Sequence, residues 1–415
     1  MKDCSVEFCD IVRYLEQQTI FNDLEKIKHM LSLLDLKIDP AKVIVVSGTN
    51  GKGTTCATLQ TLLIAAKQNI GFFSSPHLIK INERIKFNNE DISDEDFCKV
   101  FHAVHAKIQN FDSSYFEYLT LMAAYYFFAV KNVDFAIFEV GLGGTKDASN
   151  AIPHSFCAIT SLAMDHEDIL GNDIIEIAAN KFGIIGRNNK VFHTNFINEK
   201  VAALASTVAK ENSAPLICAY PYDCEVEMTE KYPNFFIRNQ WGKFKINLPG
   251  ERAVENTSLA LTIFDNLIEN SEQFIQALEN VVWPCRMEKL FHKNRQIFLS
   301  GDHNPHGIQS LLNLLEYYDY ENIHFIVGIC YDKNHGEMLQ KLKNFRNSHL
   351  YLTETPVKTL AVENYDEIFR KSACFASQNP FEAVEAAVLK SNPNDLIIAT
   401  GSLYLVGMIK KYIEN

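Results

Sequence analysis

The chain has no Cys-x-x-Cys pair, no internal repeat, no low-complexity tract and no apolar run long enough to span a bilayer. Its ten cysteines are scattered, which argues against structural zinc or a thioredoxin-type centre and fits reduced thiols. The longest strongly apolar stretch, Leu121–Val130, is about half of the ~20 residues a membrane helix needs, so a buried helix is expected there. The N-terminus, MKDCSVEFCD, carries acids and has no apolar h-region, so it does not read as a signal peptide. A cytoplasmic protein without a membrane partner is the expectation.

Basic charge is also short. Lys+Arg number 39 against 51 Asp+Glu, a formal net charge of −12. Such a surface repels a nucleic-acid backbone, although a local basic pocket for a small anion remains open. The length of 415 residues corresponds to roughly two or three domains. A hydrophobic share of 47% suffices for a core in each.

What is present is alternation. Short apolar runs at Val43–Val46, Ile70–Phe73, Phe135–Phe138, Cys157–Leu162 and Lys190–His193 are interleaved with helical patterns. Those helices are expected over Thr54–Lys67, Asp94–Gln109, Tyr118–Val130, Ile174–Phe182 and Glu199–Lys210. This is the signature of a mostly parallel sheet with crossover helices. Cys224–Leu248 alternates apolar and polar residues and reads as an antiparallel piece, followed by a helix at Ala253–Ile268. Near Trp283–Asn294 the pattern breaks, and a second strand–helix alternation runs from Gln296 to the end. Two domains are therefore expected, 1–288 and a smaller α/β domain at 296–415.

The segment KVIVVSGTNGKGTTCATLQTLL reads as strand, glycine-rich turn, helix. Glycines let backbone N–H groups crowd a phosphate, a lysine reaches the β and γ phosphates, and a threonine hydroxyl can hold Mg²⁺. The strict phosphate-loop pattern asks for four residues between its first Gly and the Gly-Lys pair. Only Thr49 and Asn50 stand there, and Gly53 separates Lys52 from the hydroxyls. An ordinary glycine-rich turn is the bland reading; the strand–helix context of Gly-Lys-Gly-Thr-Thr disfavours it.

Ligands of open α/β sheets bind outside the carboxyl ends of the strands. Here the runs end in the loop, in Ser74, Ser75 and His77, in Glu139 with Gly-Leu-Gly-Gly, and in Asp165 and His166. Singly each is unremarkable. Together they make an oxygen-rich set suited to Mg²⁺.

These residues resemble folylpolyglutamate synthase and the bifunctional dihydrofolate synthase, members of the Mur ligase superfamily. The resemblance runs in order through GTNGKGTT (48–55), SSPHLIKINERIKF (74–87), FEYLT (116–120), FEVGLGGTKDASN (138–150), MDHEDILG (164–171), IAANKFGII (177–185), WPCRME (283–288), SGDHNPHG (300–307) and TGSLYLVG (400–407). It implies a Mur ligase central domain plus a Rossmann-like C-terminal domain that closes over ATP.

It also implies roles. Gly48, Thr49, Asn50, Gly51, Lys52, Gly53, Thr54 and Thr55 would hold the ATP phosphates, with Asn256, Arg286 and Ser300 as further nucleotide contacts. Thr54, Ser75, Glu139 and His166 would hold Mg²⁺. Phe116, Glu117, Lys146, Asp147 and Ala148 fall where the pterin-bearing substrate binds. Lys52, Lys181 and His303 are the candidate catalytic residues, Lys181 matching a lysine carbamylated in many members. The implied reaction joins L-glutamate to folate or dihydropteroate through an acyl phosphate, in a monomer. Five positions depart from the usual pattern: Ser300 for Asp, Cys285 for Gly, Asn180 for Glu, and Glu251-Arg252 for His-Gln.

Three rivals are weighed against this. A peptidoglycan-precursor ligase carries an extra N-terminal domain, for which the 47 residues before Gly48 are too few. A phosphate-loop kinase or ATPase leaves the second domain unexplained. A degenerate nucleotide-binding module, from a different functional class, draws its only support from Ser300 and Cys285.

Overall fold

Four β-branched residues in a row, Val43–Val46, need cover on both faces, as in the centre of a parallel sheet. In the computed structural model, which describes residues 4–18, 23–229 and 231–415, that run is β1 (Val43–Ser47), buried throughout. It belongs to an eight-stranded sheet with β2 (Ile70–Phe73), β3 (Ile85–Phe87), β4 (Glu90–Asp91), β5 (Phe135–Glu139), β6 (Phe156–Ile159), β7 (Lys190–His193) and β8 (Leu216–Cys218). The order is β4-β3-β2-β5-β1-β6-β7-β8, with only β3 and β4 antiparallel to their neighbours.

The chain divides into two units. One takes the chain up to Tyr222 with Asn239–Phe244 and Glu255–Val281; the other takes Asp223–Arg238, Lys245–Val254 and Val282–Asn415. The first unit's core combines β1 residues with Phe73, Phe138 and the inner faces of helices Asp94–Ile108 and Tyr115–Tyr125. Each fully buried Val, Ile or Phe there contributes roughly 1.5–3 kcal/mol. Two N-terminal helices, Cys4–Glu16 and Leu24–Leu33, complete it and were not evident in the sequence. Phe8 meets Phe97 edge-on at 5.3 Å. The apolar stretch Leu121–Val130 is buried only in part: Leu121–Ala124 lie inside, while Val130 is 48% exposed in a π-helical turn, Tyr126–Lys131. Among the described residues no helix is long and apolar enough to cross a membrane.

The alternating segment after Tyr222 is β9 (Asp223–Met228), β10 (Pro233–Asn239) and β11 (Gly242–Ile246), a three-stranded sheet in the order β11-β10-β9. The second unit's main sheet has six strands: β12 (Arg286–His292), β13 (Arg295–Ser300), β14 (Ile323–Val327), β15 (Ser348–Leu352), β16 (Phe375–Ala376) and β17 (Leu396–Thr400). Its order is β12-β13-β17-β14-β15-β16, and β12 alone runs antiparallel to its neighbour. The stretch where the apolar pattern breaks is therefore a strand. Its alternation is obscured by a bulge between Arg286 and Glu288, with Met287 in the left-handed region at φ 53°.

Candidate active site

The order β2-β5-β1-β6 places four parallel strands side by side with their carboxyl ends together. The polar residues that follow those strands are thereby gathered at one edge. Val46 pairs in register with Glu139, and Ser47 with Ile159.

At the centre is the loop Gly48–Gly51. Gly48 has φ 145° and Gly51 has φ 93°, both values that L side chains rarely adopt. Space is as restrictive as torsion. A Cβ on Gly48 would lie 1.9 Å from Thr160 Oγ1, and one on Gly51 2.3 Å from Asn256 Oδ1. The loop is tied to the segment leaving β6. Thr49 N–H donates to Ser161 O (2.8 Å), Thr49 Oγ1 donates to Ala163 O (3.0 Å) and accepts from Ala163 N–H (3.1 Å), and Ser161 Oγ donates to Asn50 O (3.1 Å). Gly51 then caps helix Lys52–Ala65 with no side-chain bond to the first turn. An uncapped helix start presents N–H groups and the positive end of the dipole to an anion.

Two lysines converge on this loop. Lys52 Nζ donates to Gly48 O (3.0 Å) and Thr49 O (3.3 Å). Lys181 Nζ, on helix Ile174–Phe182, donates to Gly48 O at 2.9 Å, and the residue is 4% exposed. Asn256 lies against Gly51, with Thr55 Oγ1 donating to its Oδ1 at 3.5 Å.

Beside the loop, buried Glu139 accepts from the Ser75 N–H at 3.4 Å. Burial first, and then the charge of Glu139, push the Cys56 thiol well up, which places that thiol in the carboxylate's field. Thr54 is buried in the first helical turn, and half-buried His166 holds a left-handed backbone at φ 53°. Hydroxyl, carboxylate and a single imidazole fit magnesium. No three His, Cys, Asp or Glu side chains converge as a metal cluster among the described residues.

Comparison with known proteins agrees with that geometry. Residues 46–264 match the Mur ligase middle domain, and residues 285–403 match the Mur ligase, glutamate ligase domain. The dihydrofolate synthase/folylpolyglutamate synthase of Buchnera aphidicola subsp. Schizaphis graminum is 31% identical over 393 residues, 92% of this chain and 90% of that one. The chain belongs to the dihydrofolate synthase/folylpolyglutamate synthase family of Mur ligases. The Bacillus subtilis enzyme of the same description is 28% identical, covering 94% of this chain and 95% of its own. Mycobacterium tuberculosis folylpolyglutamate synthase, solved with ADP, shares the fold with a TM-score of 0.89 at 23% identity, over 100% of this chain and 99% of that one.

Family positions outside the phosphate loop fall in two groups. In the first unit the Phe116 ring lies over Gly141, where an added Cβ would come within 2.7 Å of it, and 5.4 Å from Phe73. Glu117 is 1% exposed, accepts the Ser114 N–H at 2.6 Å in a capping box, and pairs with Lys26 at 3.2 Å. Asp147 accepts from the N–H groups of Gly141 (3.0 Å), Leu142 (2.9 Å) and Ser149 (2.9 Å), so its carboxylate shapes the loop after β5. Burial pushes that carboxyl up, and the same hydrogen bonds pull it back. Ala148 is buried and Lys146 exposed.

In the second unit Arg286 on β12 stands opposite Ser300 on β13. Ser300 Oγ donates to Asp302 Oδ2 at 2.6 Å, so an acidic group stands two residues from the position where the family carries Asp. His303 Nδ1 lies 2.9 Å from Gly301 O, and Asn304 caps helix Pro305–Leu315. Cys285, at the usual Gly, keeps a left-handed backbone at φ 57°. Sequence reading overlooked the Thr49–Ala163 lock and the His77–Arg84 pair described below, because a hydrogen bond between distant residues leaves no periodic signal.

Proposed function

We propose that this chain uses ATP to join the amine of L-glutamate to a carboxylate of a folate-type substrate, dihydropteroate or a tetrahydrofolate polyglutamate. The observation that carries the reading is the convergence of Lys52 and Lys181 on the Gly48 carbonyl. It sets two lysine side chains inside a prefolded phosphate loop, at strand ends that also bring Ser75 to Glu139. The names of the relatives and their coverage of nearly the whole chain support the same chemistry.

A carboxylate resists attack by an amine at neutral pH. Transfer of the γ-phosphoryl group of ATP to that carboxylate gives an acyl phosphate with a good leaving group. The amine of glutamate attacks its carbonyl, and the tetrahedral intermediate collapses to amide and inorganic phosphate. The chain's part is positioning and charge neutralisation. Backbone N–H groups of the loop and helix start cradle the phosphates. Lys52 exchanges its loop carbonyls for the transferring phosphoryl group. Magnesium, held by Thr54, Ser75, Glu139 and His166, would neutralise phosphate charge there. Asn256, Arg286 and Ser300 contact the nucleotide and His303 positions it, while Phe116, Glu117, Lys146, Asp147 and Ala148 form the folate side. The enzyme acts as a cytoplasmic monomer, and its net charge of −12 fits small-molecule substrates rather than nucleic acid.

The test is incorporation of labelled glutamate with ATP and Mg²⁺, run separately with dihydropteroate and with a tetrahydrofolate. Incorporation that requires ATP and one of these acceptors supports the reading. ATP binding without incorporation into either would overturn it in favour of a degenerate binding module.

A further inference from the structure

One histidine at the carboxyl edge of the first sheet has no part in the chemistry above. His77 lies four residues beyond the end of β2, in a segment that is held rigidly. The Glu83 carboxylate accepts the N–H groups of Leu78 (2.7 Å), Ile79 (2.9 Å) and Lys80 (2.8 Å). Ser74 N–H donates to Arg84 O at 2.9 Å, fixing Arg84 beside the strand end. The Arg84 side chain is 7% exposed, stacks over the Tyr115 ring with 5.3 Å to its centroid, and donates from Nε to His77 Nδ1 at 2.9 Å.

That last bond fixes the imidazole. A guanidinium only donates, so Nδ1 must present its lone pair and the ring proton must sit on Nε2. Among the described residues Nε2 has no hydrogen-bond partner, and it is not among the buried polar atoms left unsatisfied. His77 therefore holds an oriented, accessible N–H donor, the arrangement of a group awaiting an acceptor. Its surroundings indicate which one. Ser75, two residues back, touches Glu139, and Tyr115 under Arg84 directly precedes Phe116, whose ring covers Gly141. The donor thus stands where the metal-side strand ends meet the folate-side helix start.

We propose that His77 donates its Nε2–H to a carboxylate oxygen of the folate-side substrate, the one that becomes the acyl phosphate, and that Arg84 is its positioning residue. This rests on the ligase reading above. It requires no change of protonation; the hydrogen bond only orients the acceptor. The rival account is that His77 merely fills the space beside Arg84.

Three variants separate the two. His77→Phe keeps the bulk and removes the donor, whereas His77→Gln keeps an N–H at the distance of Nε2. Arg84→Lys keeps charge and removes the bond that fixes the ring. In His77→Phe, dihydropteroate binding and kcat/KM for the folate substrate should fall by about 10–100-fold, with KM for ATP and the thermal midpoint unchanged. His77→Gln should recover most of that loss, and Arg84→Lys should raise the folate KM more than it lowers kcat. Unchanged dihydropteroate binding in His77→Phe, or equal defects in Phe and Gln, would overturn the proposal. Binding is measured apart from turnover for a reason. A wild-type chain that binds dihydropteroate but transfers no glutamate defeats the ligase reading alone, and His77→Phe then still decides the contact. A wild-type chain that binds neither folate substrate overturns both.

Discussion

Lys52 and Lys181 donate to the same atom, the carbonyl oxygen of Gly48, at 3.0 and 2.9 Å. The pair differs in setting: Lys52 opens helix Lys52–Ala65 and Lys181 is 4% exposed. Lys52 is placed to leave its carbonyls for phosphate, and Lys181 to keep the loop shaped. Replacing Lys52 with Ala removes the cation that faces the transferring phosphoryl group. Ligation should fall by about a thousandfold or more, while ATP binding falls less. Glutamate incorporation at near-normal rate in Lys52→Ala would contradict this.

Lys181 carries a second prediction. The family resemblance implies a carbamate on this side chain, whose Nζ keeps one N–H for Gly48 O and gains a carboxylate that can turn toward a metal. The carbamate is therefore expected where magnesium and bicarbonate are both present, near neutral pH. Crystals grown under those conditions should show density for the added carboxylate. A bare amine at full occupancy would count against it.

The phosphate loop is prefolded at two glycines, and alanine should be refused at both. Gly48→Ala combines φ 145° with a Cβ 1.9 Å from Thr160 Oγ1; Gly51→Ala combines φ 93° with a Cβ 2.3 Å from Asn256 Oδ1. Thr160 is fully buried beside the strand end and cannot retreat, so Gly48→Ala should cost about 2–4 kcal/mol of stability. Asn256 can shift at its amide, so Gly51→Ala should cost less stability but weaken nucleotide binding more. Denaturant midpoints alongside ATP titrations would show whether the two variants separate in that way.

Periodic features were legible in the sequence. Val43–Val46, Ile70–Phe73, Ile174–Phe182 and Lys190–His193 form the elements their patterns predict, because each buries one face or both. The adjacency of β2, β5, β1 and β6 was not written in any local pattern; it follows from pairing register. Helices Cys4–Glu16 and Leu24–Leu33 went unseen because charged residues interrupt short apolar stripes. The strand β12 went unseen because its bulge displaces the alternation at Met287. At the site, residue types and order identified Lys52, Ser75 and Glu139 as candidates, and the family resemblance added Lys181. The bonds that position them, such as Thr49 to Ala163 or Arg84 to His77, are tertiary and appear only in the folded chain.

Cys285 offers a test of backbone strain. It sits at φ 57°, fully buried, where the family usually has Gly, and its N–H donates to Glu288 Oε2 at 2.9 Å. Both Cys285→Ala and Cys285→Gly lose the buried thiol, but only Gly adopts the left-handed region without penalty. Cys285→Gly should therefore be more stable than Cys285→Ala by about 1 kcal/mol. Calorimetric midpoints in the reverse order would show that the thiol's neighbours, not its torsion, set the preference.

Glu385 gives the second unit a defined acid sensitivity. It accepts from His292 Nε2 (2.7 Å) and Lys293 Nζ (2.6 Å) of the β12–β13 hairpin, and from Tyr412 OH (2.9 Å). Burial by itself would raise its carboxyl. The hydrogen bonds from Lys293, His292 and Tyr412 outweigh that and bring it from the usual 4.5 to about 2. The folded state thus holds this proton less tightly than the unfolded one. Stability from the cluster is complete above pH 4.5 and is lost as pH falls from there toward 2. With 32% of the side chain exposed, solvent screening limits the effect to about 1 kcal/mol. Glu385→Gln should lower stability at pH 7 and flatten its decline over that acid interval. Parallel acid-unfolding curves for the variant and the parent chain would remove Glu385 as the titrating group.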